Sequence, residues 1–195
     1  GTANFAAAAD LKPICGDLLW RQIYLPKRRD ILDYRIDHAR ALGLKVLVAT
    51  LDSPVVGNRE YMTRNGWGTQ GINMTNLPQI LGAPYWLFGT LLRYLLTGGL
   101  PEFADMPPGE RKFYKGTGSW AIAADDFTWD DVRALRRRWQ DVLVLKGIST
   151  PEDAKIAAEL GADGIIVSNH GGRSLDGCVP SMGVLPEIVD AVVDS

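Results

Sequence analysis

The sequence predicts an α/β fold: part of a (β/α)8 TIM barrel, about four of its eight strand–helix units, interrupted by one long insertion. Three observations carry this. Short, wholly apolar runs alternate with segments of helical periodicity, the pattern of parallel strands buried on both faces. Polar residues cluster where those runs end, the edge at which barrel enzymes carry their chemistry. No Gly-x-Gly-x-x-Gly follows any strand, which argues against a doubly wound nucleotide-binding sheet. A complete barrel needs roughly 250 residues, and this chain has 195.

Residues 1–17 are small and polar and read as a loop with one helical turn. The first strand spans 18–24, and Gln22 and Tyr24, two apart, share a face. A helix follows over 28–42: Ile31, Tyr34, His38 and Leu42 recur at helical spacing and Gly43 stops it. His38 reads as a helix-face residue rather than a ligand. The second strand, 45–49, emerges at Thr50 and Asp52.

Residues 57–127 form the insertion, without a clean strand, read as a lid, a binding segment or disorder. Its first part is rich in charge and aromatics, its middle (85–96) is strongly apolar, and 105–115 is rich in Pro and charge and reads as irregular. Regularity returns with a helix over 128–139, capped by Thr128 with Asp131 three residues on. The third strand, 142–146, ends on Lys146. Thr150 and Pro151 open the next helix, with Glu152 and Asp153 at the positive end of its dipole, and Gly161 ends it. The fourth strand, 164–168, runs into Ser168-Asn169-His170-Gly171-Gly172-Arg173. Val184, Leu185, Ile188, Val189 and Val192 mark a last helix.

Net charge is −2, so a nucleic-acid partner has no electrostatic support. Cys15 and Cys178 show neither a pairing pattern nor metal-ligand spacing and read as free thiols in a reducing compartment; no metal is expected. No apolar run reaches spanning length. The chain begins at Gly1 without Met and stops before any following strand, and reads as one domain, 1–195, cut from a longer barrel.

The strand-end set is Gln22, Tyr24, Thr50, Asp52, Arg59, Lys146, Ser168, His170 and Arg173. Two guanidinium groups at one site suit a carboxylate. A histidine near a carboxylate suits a general base. A lysine stabilises negative charge developing on a ring, and Gln, Thr and Ser suit the edge of a planar heterocycle.

Leu145-Lys146-Gly147, Glu152-Asp153-Ala154, the run from Gly161 to Asp176, Trp20-Arg21-Gln22-Ile23-Tyr24, Ala49 to Pro54 and Gly57-Asn58-Arg59-Glu60 resemble, over nearly the whole chain, the FMN-dependent α-hydroxy acid dehydrogenase and oxidase family, the loop Ser168 to Arg173 being the most specific match. The resemblance implies that His170 is the base, with Asp52 stabilising its imidazolium. It implies that Arg59 and Arg173 bind the substrate carboxylate and that Tyr24 hydrogen-bonds the substrate. Lys146 would lie beside the flavin N1 and C2 carbonyl, and Gln22, Thr50 and Ser168 would contact the ring. The activity implied is oxidation of an L-2-hydroxy acid of lactate or mandelate type to the 2-oxo acid. Electrons would pass to a quinone or another acceptor, or to oxygen in an oxidase producing hydrogen peroxide. An inactive truncated half-barrel is the reading from outside enzymology.

Against the family, the first barrel strand and the last two are missing, and Gly1 stands where a flavin-contacting serine is usual. The chain alone is therefore expected to bind FMN poorly. Residues 85–100 fall where membrane-associated members carry a membrane-binding segment. The resemblance thus implies a cytoplasmic protein, peripheral on the inner face of the cytoplasmic membrane, and a homo-oligomer, a tetramer.

Overall fold

A computed structural model describes residues 5–53, 60–64, 74, 77–100, 102–112 and 124–193. Among them, four parallel strands form one sheet in the order β1-β2-β3-β4: Trp20–Tyr24, Val46–Thr50, Val142–Ile148 and Gly164–Val167. Helices alternate with the strands: α1 (Ala8–Cys15), α2 (Arg29–Ala41), then α7 (Trp129–Arg138), α8 (Pro151–Glu159) and α9 (Ser181–Val192). Helices α3 to α6 lie in the insertion: Glu60–Arg64, Leu77–Leu81, Pro84–Trp86 and Arg93–Thr97, the last two joined by a π-helical stretch, Leu87–Leu92. Four βα units in sequence, with an insertion after β2, match the architecture expected.

The caps are where the sequence places them. Thr128 and Asp131 close a capping box, the Thr128 amide donating to Asp131 Oδ2 at 2.8 Å. The Asp153 amide donates to the Thr150 hydroxyl at 3.2 Å. Three local expectations are corrected. Residues 8–15 form a helix of eight residues rather than one turn. The first strand starts at Trp20, not at 18, because β2 offers its first partner, Val46, opposite Trp20; Gly16–Leu18 make a 3-10 turn instead. The third strand continues past Lys146 to Ile148, through a register irregularity at Gly147.

Period-two alternation splits the sheet into unlike faces. On the outer face Ile23, Leu47, Ala49, Leu143, Leu145 and Ile148 pack with Leu32, Ile36, Val132, Leu135, Trp139, Ala154, Ala157 and Ile188 of the helices into one apolar core. The inner face holds a small cluster of Val46, Val48 and Val144. Above it, Tyr24, Thr50 and Lys146 lie side by side in register, with Ile166 next in the row.

The insertion is tied to the outer side of β1 by charge. Asp105 is buried and accepts from Arg21 Nη1 at 2.5 Å and from the Ala8 amide at 3.0 Å. Arg35, also buried, donates to the Gln22 carbonyl at 3.2 Å. Burial, then the neighbouring Arg21 charge, push the Arg35 guanidinium down to about 9, while Asp105 acts the other way. It stays cationic at neutral pH. His38 lies 4.0 Å from Asp105 and stacks on Tyr34, a helix-face residue as expected.

Candidate active site

The site forms where β2, β3 and β4 end. Asp52 leaves β2 two residues after Thr50, Lys146 lies in β3, and Ser168 and His170 follow β4. The close approach of β3 to Asp52 requires glycine. Gly147 has φ +104°, and a Cβ there would stand 2.5 Å from the Asp52 Cβ. His170 is the one non-glycine residue with positive φ among the described residues, at 57°. Such a backbone is costly for an ordinary side chain and is held by its surroundings. The Asn169 side-chain oxygen accepts from the Gly171 amide at 3.0 Å and the Gly172 amide at 3.3 Å, which stabilises the turn.

The side chains converge on the imidazole. His170 Nδ1 makes a short hydrogen bond with Asp52 Oδ1, and Nε2 faces the Tyr24 hydroxyl at 3.2 Å. Lys146 Nζ donates to Asp52 Oδ2 and to the Ser168 hydroxyl, both at 3.1 Å, and lies 3.2 Å from Nδ1. The Ser168 hydroxyl donates to Asp52 Oδ2 at 3.0 Å. The carboxylate therefore claims the Nδ1 proton, leaving the Nε2 lone pair toward Tyr24. Burial, then the Asp52 charge, raise the Tyr24 phenol above its ordinary value and keep it a neutral donor.

Tyr24, Asp52, Lys146, Ser168 and His170 are thus brought together. Gln22 and Thr50 form a neighbouring pair on the inner face, Gln22 Nε2 donating to the Thr50 hydroxyl at 2.9 Å. Arg173 is exposed three residues beyond His170, its amide donating to the His170 carbonyl at 3.3 Å. Arg59 lies outside the described residues. Sequence reasoning missed Asn169, Ser53 and Ser174. The Ser53 hydroxyl lies 3.2 Å from His170 Nδ1 and 3.2 Å from the Ser174 hydroxyl. Asn169 was legible as a short polar side chain before two glycines, a turn signal; Ser53 and Ser174, 121 positions apart, carried none.

The family described as FMN-dependent dehydrogenase matches residues 2–195. The chain belongs to that family. Among its relatives, the L-lactate dehydrogenase of Acinetobacter baumannii (strain ATCC 17978) is 34% identical over 193 residues, covering 98% of this chain and 50% of the relative. That of Xanthomonas campestris pv. campestris (strain B100) is 33% identical over 195 residues, again covering 50% of the relative. The chain therefore spans about half the length of the curated relatives it matches. The crystal structure of the monotopic membrane protein (S)-mandelate dehydrogenase superposes with a TM-score of 0.76 at 28% identity, covering 97% of this chain and 50% of that one. Mandelate oxidase with (S)-4-hydroxymandelic acid gives 0.70 at 28% identity, covering 99% and 48%. The fold is that of the TIM-barrel FMN dehydrogenases.

The donor set suits FMN. Lys146, Gln22, Thr50 and Ser168 offer an ammonium, a carboxamide and two hydroxyls along or just beyond the strand ends. That combination fits the carbonyl- and nitrogen-rich edge of a flavin ring, and an ammonium suits negative charge on such a ring.

Proposed function

We propose that the protein of which this chain is part oxidises a small L-2-hydroxy acid of lactate or mandelate type to the 2-oxo acid, with FMN. The observation that carries the reading is the Tyr24–His170–Asp52 chain of hydrogen bonds beside Lys146. It is an oriented base next to a cation. The bound flavin supplies a two-electron acceptor. Oxidation removes two electrons and two protons from the carbinol in total: His170 Nε2 takes one proton, and the electron pair and the other proton are what the bound flavin would accept. Asp52 holds the ring in the Nδ1–H tautomer and stabilises the imidazolium that results. When the substrate binds, the Tyr24 hydroxyl turns its one hydrogen from His170 Nε2 to the substrate oxygen, which frees the Nε2 lone pair. Arg173 and Arg59 bind the carboxylate, where paired guanidiniums give orientation as well as charge. Lys146, Gln22, Thr50 and Ser168 hold the flavin ring.

The acceptor reading favours a membrane quinone. Pro84–Thr97 is continuously helical, carries Arg93 as its one charge, and exposes Tyr85, Phe88, Leu95 and Leu96. Among the described residues no helix is long and apolar enough to cross a membrane. An exposed apolar helix of this length suits peripheral contact on the inner face of the cytoplasmic membrane. The oxidase reading is favoured by the likeness to mandelate oxidase; it requires stoichiometric peroxide, whereas the dehydrogenase reading requires quinone reduction.

The deciding experiment replaces His170 by Asn in the FMN-loaded enzyme. Turnover should fall by at least about a hundredfold, the usual weight of a general base, with flavin absorbance retained. Turnover that survives would sink the assignment.

A further inference from the structure

Arg173 is exposed, and its guanidinium makes neither an ion pair nor a hydrogen bond with any described residue. The backbone around it is bracketed by glycines in the left-handed region, Gly172 at φ +69° and Gly177 at φ +78°, with no atom close to where a Cβ would stand. Residues 173–179 belong to no helix or strand. Most of their hydrogen bonds stay inside the loop. The Arg173 amide donates to the His170 carbonyl, the Gly177 amide to Asp176 Oδ1, and the Asn169 carboxamide to the Val179 carbonyl. A segment held only by its own bonds opens at little cost.

One contact leaves the loop. The Ser174 hydroxyl lies 3.2 Å from the Ser53 hydroxyl, 121 positions away in the chain. Whichever serine donates, the two oxygens are held together. Among the described residues this is the only hydrogen bond from 173–179 to a segment outside the loop. The chain neighbours of the two serines give it meaning: Arg173 precedes Ser174, and Asp52, the carboxylate on the imidazole, precedes Ser53. We propose that Ser174 is a positioning residue: through Ser53 it latches the loop carrying Arg173 to the segment carrying Asp52. The latch sets where the free guanidinium starts from, relative to the base, when a carboxylate arrives. That consequence rests on the proposed role of Arg173; the latch itself does not.

Ser53→Ala breaks the contact and leaves the sequence around Arg173 unchanged. Tryptic cleavage after Arg173 in the FMN-loaded enzyme should quicken about fivefold, the weight of one neutral hydrogen bond. Cleavage after Arg64, in the insertion, should stay as it was. Ser174→Ala and Ser53→Ala/Ser174→Ala share the residue that follows Arg173 and lack the same bond, so they should be cleaved at one rate. Cleavage after Arg173 unmoved in Ser53→Ala, or a double variant cleaved faster than Ser174→Ala, overturns the proposal. Both arginines cleaved faster together would mean general loosening and overturns it too. In turnover, Ser174→Ala should raise KM for the 2-hydroxy acid about fivefold. Its kcat should change by less than about twofold, because binding is lost equally from ground and transition states. If cleavage follows this order and KM does not move, the latch stands and the role of Arg173 in holding the carboxylate falls.

Discussion

Leu145 and Lys146 are chain neighbours that face opposite ways, and they summarise the difference between the two faces of this sheet. Leu145 is fully buried among the helices. Lys146 turns inward to Asp52, Ser168 and His170. Apart from Arg21 of β1, paired with Asp105, the outer face is apolar and supplies stability by area removed from water. The inner face has only the Val46, Val48 and Val144 cluster beneath its polar row. One backbone thus performs two tasks with little interference, because alternate residues never meet the same neighbours.

The sharpest way to break this division is on the outer face. Leu145→Ala should cost about 2–5 kcal/mol, the transfer term plus the cavity left behind, measured by urea unfolding. The His170 tautomer, set on the other side, should not move; a shifted ring signal would show that the faces are coupled. A smaller effect is expected inside. Thr50→Val keeps the shape and removes the acceptor of the Gln22 carboxamide. It should cost about 1 kcal/mol of stability and weaken FMN binding about fivefold in the loaded enzyme. A loss as large as that of Leu145→Ala would mean the inner row is structural.

The smallest effect is expected at the sheet's base, where the Asp163 carboxylate accepts from the Leu143 amide and Arg136 Nη1, both at 2.8 Å. The Leu143 amide first, then Arg136, hold this carboxyl below its ordinary value of 3.8. A folded-state pKa below the unfolded one gives stability that is present above the unfolded value. It is lost as pH falls through the folded one. Asp163→Asn should therefore be less stable than the unsubstituted protein at pH 6 by under about 1 kcal/mol, since the group is largely solvated. That gap should close in acid below the ordinary value; a gap independent of pH would assign the effect to packing.

Much of this was legible in the chain because it is local. Thr128, Thr150 and Gly161 announced helix ends through capping and backbone chemistry that needs no distant partner. The apolar runs announced buried parallel strands, and the residues at their ends named five members of the site that the fold brings together: Tyr24, Asp52, Lys146, Ser168 and His170. The insertion was less legible. Asp105 sat in a stretch read as irregular, yet it is the buried partner of Arg21, 84 positions away.

The sequence by itself determined which segments are strands, which side chains alternate to which face, and which chemistry sits at the strand ends. Periodicity and caps act over a few residues and are written in the chain. Only the tertiary structure decided that Asp105 meets Arg21 and that Ser53 meets Ser174 beside the imidazole. Such pairings arise when elements pack, and hydroxyls and charges with many eligible partners find their own only once the strands are side by side.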